Sequence, residues 1–436
     1  MAQQDIASLS VKPGFLPTVA AQLRRRDPRS LVVNGSIVML LSTTLVSVLN
    51  FAYNVVMARM LGPSMFGHVT AMVTLLMLAS SVTLAFQLVC AKFVARNDRP
   101  GAKAAVYRSL RSKAWLVSLL MGGALFAAQS PVAAYLHLPD GNIPAVLAIG
   151  IAVYVPLGVR RGAMQGLCSF GRLSTSFIVE AITRFLAGVL LVAIGYGVLG
   201  AVGAISAAVL AAYFCPPLGR ELKVQSEAGH PASFGEGMQA IVFFIGQVII
   251  NNIDILLVKH FFAPELAGLY AAVALVGRLV YFASWQVISA MFPVSAAARP
   301  QDEDPHLVSW SLLAVLGISA IFVLVLSLFP HLVIQTILGV EFHQGEPLLA
   351  LYAAATGLYS LSVVLMAYEM SRRIANTGWM QLLFSGVLVL AITAFHHTLR
   401  QVIVVQIALM ALMLVVVLVP FLRRYKLALR LKPEAQ

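Results

Sequence analysis

NFAYNVVMARMLGPSMFGHVTA, residues 50–71, leaves one apolar stretch and enters another. Two asparagines and an arginine interrupt its greasy run, then a Gly62-Pro63 pair, then Gly67. Proline fits badly inside a helix but opens one well, and glycine permits a tight turn or a close helix approach. The stretch reads as one helix ending, a short hairpin, and a second helix starting. It has an echo in NNIDILLVKHFFAPELAGLYAA, residues 251–272. At a shift of 201 residues Asn50 meets Asn251, Pro63 meets Pro264, Gly67 meets Gly268 and Ala71 meets Ala272.

Composition places both hairpins in a membrane. The 436-residue chain is 60% hydrophobic and 11% charged, whereas soluble proteins carry about 25% charged residues. The apolar runs are long and continuous, which excludes a barrel of short alternating strands and predicts helices of roughly 20 residues. Twelve spans are expected, near 31–58, 66–91, 114–130, 143–159, 174–195, 199–218, 237–258, 266–292, 309–329, 348–370, 379–396 and 401–422. No signal peptide is evident, and span one reads as a retained helix.

The net charge of +13 follows from topology rather than from nucleic-acid binding. Of the 30 Lys and Arg residues, 25 fall in alternate connections, among them Arg24 to Arg26, Lys92, Arg96, Arg160, Arg161, Arg299, Arg372 and Arg373. Arg59, Lys259 and Arg400 fall on the other side. Positive residues stay inside, so both termini are expected in the cytoplasm. The organisation predicted is a leader at 1–30, an N-lobe at 31–218, a linker at 219–236, a C-lobe at 237–422 and a basic tail at 423–436. Each half has an even number of spans, so the hairpin echo implies a parallel repeat. The fold class is an all-α polytopic membrane protein of about 12 transmembrane helices in two parallel-repeat six-helix lobes around a central cavity. The longest outer connection, about 330–347, has room for a short re-entrant or interfacial piece.

Arg184 and Arg278 remain, both mid-span. At 1.5 Å per residue Arg184 lies about 15 Å deep, where an arginine costs about 2.5–3.5 kcal/mol on insertion scales. Glu180 precedes it by four residues, on the same helix face. Two readings stand: a self-neutralised Glu180–Arg184 pair, or a cation facing a wet cavity and gripping a phosphate with its planar fork. Arg278 has no acid three or four residues away, so its partner must be another helix, water or substrate. Asp254 is a candidate for that pair, or for accepting a proton or sodium ion. Asn50, Asn54, Gln87 and Gln247 are polar positions for sugar hydroxyls or for interhelical hydrogen bonds. Glu369 reads as a solvated charge near a helix end. The aromatic stripe Tyr270, Tyr281 and Trp285 reads as core. Cys90, Cys168 and Cys215 read as small packed side chains. His396 and His397 lack nearby ligands, and no metal site or cofactor is expected.

Residues 58–86 resemble the opening of the polysaccharide exporters in the multidrug/oligosaccharidyl-lipid/polysaccharide flippase superfamily. The pattern there is Arg59, Leu61, Gly62, Pro63, Phe66 and Gly67. Residues 251–279 are similar to the segment opening the second half, through Asn251, Asp254, Gly268 and Tyr270. The resemblance implies two six-helix lobes with alternating access and no ATP hydrolysis. It also implies a lipid-linked saccharide substrate, typically on undecaprenyl diphosphate, in a bacterial inner membrane. Contacts with other envelope polysaccharide assembly proteins would follow. The substrate-binding residues expected are then Arg184, Arg278, Arg59, Gln87 and Asn251, with Asp254 and Glu180 as coupling or structural ion-pair residues.

Two other classes compete. An exporter of small organic cations would place acids, not arginines, deep in its cavity. A saccharide polymerase or ligase would need a large outer loop, and His331, His343 and His396 are the outer residues left for such chemistry.

Overall fold

The computed structural model describes residues 28–217, 219, 222, 224, 225, 238–297, 305–371 and 377–430. Nearly all of the expected leader and linker lie outside them, as do the last six residues of the basic tail and Arg220, Lys223, Arg299, Arg372 and Arg373. Among the described residues the regular elements are all helices. Helices satisfy their own backbone groups, which a lipid environment requires.

The first half comprises α1 (Pro28–Arg96), α2 (Pro100–Ala127), α3 (Gln129–Tyr135), α4 (Ile143–Gly166), α5 (Phe170–Leu191) and, after a π turn at Val192–Tyr196, α6 (Gly197–Phe214). The second half comprises α7 (Met238–Ile250), α8 (Ile253–Phe261), α9 (Pro264–Gly277), α10 (Leu279–Ala297), α11 (Pro305–Leu328), α12 (Pro330–Ile337), a 3₁₀ turn (Val340–Gly345), α13 (Glu346–Ser371), α14 (Thr377–Ala394) and α15 (Leu399–Arg430). Among the described residues nine helical stretches are long and apolar enough to cross a membrane. Val38–Arg96, with 59 residues, and Phe170–Phe214, with 45, are each long enough to cross twice, and Gly378–Ala394 is a shorter apolar helix. Together they account for the twelve crossings.

α1 is spans one and two joined at a kink. Gly62 sits at φ 70° and ψ 175° there, with Pro63 directly after it. That φ is costly for any residue with a Cβ, and Pro63 starts the second arm where its missing N–H is not needed. α2 departs from expectation by starting at Pro100 rather than near 114. Ala102, Ala104, Val106, Tyr107 and Leu110 are buried there, so packing of one face extends the helix into the basic segment.

The two halves meet mainly where α1 runs along α9, α7 and α8. The echoed motifs touch each other at one end of the bundle. A Cβ on Gly67 would stand 2.9 Å from the Gly268 nitrogen, and a Cβ on Gly268 would stand 1.7 Å from the Pro63 carbonyl oxygen. Only glycine at both positions permits this backbone crossing. The segment 329–346 caps the same end with α12 and the 3₁₀ turn, a short helical piece in the place the sequence left room for one. Phe342 packs edge-on against Phe66 at 6.2 Å. Arg59 donates from Nε to the Ile337 carbonyl at 2.9 Å and also bonds the Thr336 carbonyl. These carbonyls close α12, and a cation suits a helix C-terminus. We call this the hairpin end.

Candidate functional site

Two separate networks of charged residues lie in the membrane core, one in each half. In the first, Glu180 on α5 accepts from Arg184 Nη2 at 2.6 Å and from Arg161 Nη2 at 2.7 Å. Arg161 also donates to the Ser176 hydroxyl and carbonyl, each at 3.1 Å, and lies 4.1 Å from the Phe177 ring centre. Arg184 reaches Asn50 on α1 through Nη1 at 3.2 Å. Its Nε is buried and has no hydrogen-bond partner among the described residues. One carboxylate thus serves two guanidiniums, leaving one surplus positive charge.

Arg160 and Arg161 do not behave as connection residues. α4 continues past them to Gly166, and they are 9% and 5% exposed. Arg160 bonds the Pro216 carbonyl and lies over Tyr213. A pair of adjacent arginines near a helix end reads as a topology signal, and nothing local reveals that they turn inward.

The second network is closed. Asp254 on α8 accepts from Arg278 Nη2 at 2.9 Å, from the Tyr270 hydroxyl at 2.9 Å and from the Tyr352 hydroxyl at 2.8 Å. Arg278 Nε donates to Tyr352 at 3.1 Å, and Nη1 to Asn252 at 3.4 Å. Gln406 on α15 donates to Tyr270 at 2.7 Å. Asp254 is 2% exposed. The span is interrupted here: α7 ends at Ile250 and α8 resumes at Ile253. The Asn251 amide donates to the Gln247 carbonyl at 2.9 Å, and a cavity of about 30 Å³ lies among Asn251, Asp254, Arg278, Tyr352 and Gln406. Broken membrane helices often frame binding sites.

The remaining candidates lie elsewhere. Arg59 is at the hairpin end and bonds α12 rather than either network. Gln87 donates to Gln165 on α4 at 3.3 Å. Glu369 is 6% exposed, so the expected solvated charge is instead a buried one; α13 carries its polar end into the bundle. Cys90 is buried, but Cys168 and Cys215 are exposed, and all three are free. Tyr270 is fully buried, in keeping with a core role, while Tyr281 and Trp285 are only partly covered.

A larger cavity, of about 520 Å³, lies between the halves at the end opposite the hairpins. Leu88, Val89 and Lys92 of α1 line one wall, and Phe244, Trp285, Phe292 and Met370 contribute to the other. Lys92 is its one charged lining residue among the described residues. None of the arginines singled out in the sequence lines it.

The chain matches the family described as "Polysaccharide biosynthesis protein" over residues 32–299. A comparison with curated proteins finds no match. Among solved structures, it superposes on the inward-facing conformation of a multidrug resistance MATE family transporter of the MOP superfamily with a TM-score of 0.69 and 14% identity, covering 91% of this chain and 99% of that one. A MATE protein in complex with MaL6 gives 0.61 and 15%, covering 93% and 98%. A MOP superfamily transporter from Pyrococcus furiosus, whose binding pocket is described as of reverse polarity, gives 0.55 and 14%, also covering 93% and 98%. The fold is that of these transporters.

Proposed function

The chain belongs to the polysaccharide biosynthesis protein family, and we propose that it is a flippase for a lipid-linked oligosaccharide or polysaccharide precursor. The carrier is a polyprenyl diphosphate, moved by alternating access of the two halves. The basic end and both termini face the cytoplasm of a bacterial inner membrane, in line with the distribution of Lys and Arg.

The carrying observation is the cavity at the basic end. Its size falls within the roughly 300–1,000 Å³ of small-molecule sites. Its walls are apolar and its one charge is cationic among the described residues. Prenyl units suit such walls, and Lys92 suits the diphosphate. The hairpin end is meanwhile closed by the Gly67–Gly268 crossing and by Arg59, an arrangement in keeping with an inward-open state.

The two networks divide the remaining work. Arg184, with a surplus charge around it and an unpartnered Nε, is the deeper phosphate contact as the halves rock. Arg278 is held by Asp254, Tyr352 and Asn252 and ties the broken span together. Gln87 and Asn251 supply polar contacts for the saccharide. Of the buried acids among the described residues, Glu180 and Asp254 are already neutralised by arginine, which disfavours capture of an organic cation by either.

Headgroup translocation of a fluorescent polyprenyl-diphosphate saccharide in proteoliposomes tests this reading. Wild type is expected to flip it, and Lys92→Gln and Arg184→Ala to insert normally but flip at least about tenfold more slowly, as for a lost charge-assisted contact of 1.5–3 kcal/mol. Unchanged rates in both variants would remove the cationic path. Transport of small organic cations in place of the lipid would assign the protein to drug export.

A further inference from the structure

The cap at the hairpin end carries a cluster that the transport reading does not use. We propose that His331, His343 and Glu346 form a binding site for a divalent transition metal of the zinc type. His331 opens α12 just after Pro330, His343 lies in the 3₁₀ turn, and Glu346 starts α13. Both Nδ1 atoms converge on one carboxylate oxygen, Glu346 Oε1, at 3.0 Å from His331 and 2.6 Å from His343. The imidazole rings stack 4.8 Å apart at 7°. All three ligand atoms lie within 4.8 Å of one another.

The donor set selects the ion. Two imidazoles and one carboxylate form a set that zinc uses in open sites, with water in the fourth position. Magnesium and calcium prefer oxygen donors. Zinc bonds of about 2.0–2.1 Å at tetrahedral angles place donors roughly 3.3 Å apart, so the two Nδ1–Oε1 spacings need to open by less than 1 Å. The His331 side chain is 62% exposed and that of His343 35%, so rotation of the rings is free to supply the change. Exposed contacts of this kind contribute little by themselves, so ring stacking and shared oxygen would be a small return for ordering two surface histidines. A metal gives that ordering a function.

The location adds a consequence. An ion here ties together the start of α12, the 3₁₀ turn and the start of α13. Arg59 from the first half lands on the far end of α12, and Phe66 packs on Phe342 of the same turn. Metal therefore stiffens the platform on which the first half closes.

The test uses the purified full chain carrying no histidine tag, stripped with chelator and titrated with ZnCl2. One zinc per chain is expected by elemental analysis, with a rise in the melting temperature by mass action. Glu346→Gln and the His331→Ala/His343→Ala double variant are expected to bind at least about tenfold more weakly. Their metal-free melting temperatures should stay near that of wild type, since surface contacts of this kind contribute little. His396→Ala/His397→Ala, outside the cluster, should bind as wild type does. No zinc on wild type, or equal binding by wild type and the double variant, overturns the site.

Discussion

The two halves share a hairpin motif and differ in how they hold charge. The first half keeps Glu180 on an unbroken α5 between two arginines, so the network is cationic and one buried N–H has no partner among the described residues. The second half keeps Asp254 at an interrupted span, one arginine to one carboxylate, with two tyrosine hydroxyls closing the cage. The echoed hairpin opens each half in the same way. A surplus charge suits a site that receives an anion, whereas a neutral cage suits one that fixes a break in a helix. The lesson is that a mid-membrane arginine is read by its balance with neighbours, not by its depth.

The largest effect that would break this comparison comes from removing the acids. Glu180→Gln leaves two buried guanidiniums facing an amide, and breaking a buried pair costs about 3–5 kcal/mol. Asp254→Asn strands one guanidinium, which still donates to Tyr352 and Asn252. Thermal unfolding in detergent should therefore show the greater loss for Glu180→Gln, and adding Arg161→Gln should recover part of it. Equal losses would mean that the surplus charge in the first half is illusory.

The next effect probes the hairpins. Gly268→Ala pushes a methyl into the Pro63 carbonyl at 1.7 Å, against 2.9 Å to the nearest atom for Gly67→Ala. Overpacking of this kind costs about 1–3 kcal/mol. Both variants should raise thiol-reagent access to a cysteine placed at the hairpin end, Gly268→Ala more so. A reversed order would place the tighter side of the crossing in the other half.

Smaller changes separate the cage from the gate. Tyr270→Phe and Tyr352→Phe each remove a hydrogen bond to Asp254 and should lower stability by about 1.5–3 kcal/mol, since the acceptor is charged. The same tyrosine-free change has no counterpart at Glu180, whose partners are guanidiniums. Arg59→Ala is expected to cost least, about 0.3–1 kcal/mol for a cation at a helix C-terminus. Its readout is faster opening of the hairpin end by the same cysteine assay, with unfolding nearly unchanged.

Much of the molecule was legible in the chain itself. Apolar runs fixed the crossings because each span must bury or expose greasy faces on all sides in lipid. The echo between residues 50–71 and 251–272 gave the parallel repeat. Spacing by four residues put Glu180 beside Arg184, since a helix turn decides that pair with no help from packing. What local pattern does not encode is a partner on another helix. Arg161 joins Glu180 from 19 residues away and Tyr352 reaches Asp254 across 98, while Asp254, one candidate in the sequence for Arg278, meets it across 24. The inward turn of Glu369, the backbone contact of Gly67 with Gly268, the cap that Arg59 places on α12 and the meeting of His331, His343 and Glu346 are likewise products of tertiary packing. Sequence period sets which side chains share a face of one helix; only the way helices cross sets which faces meet.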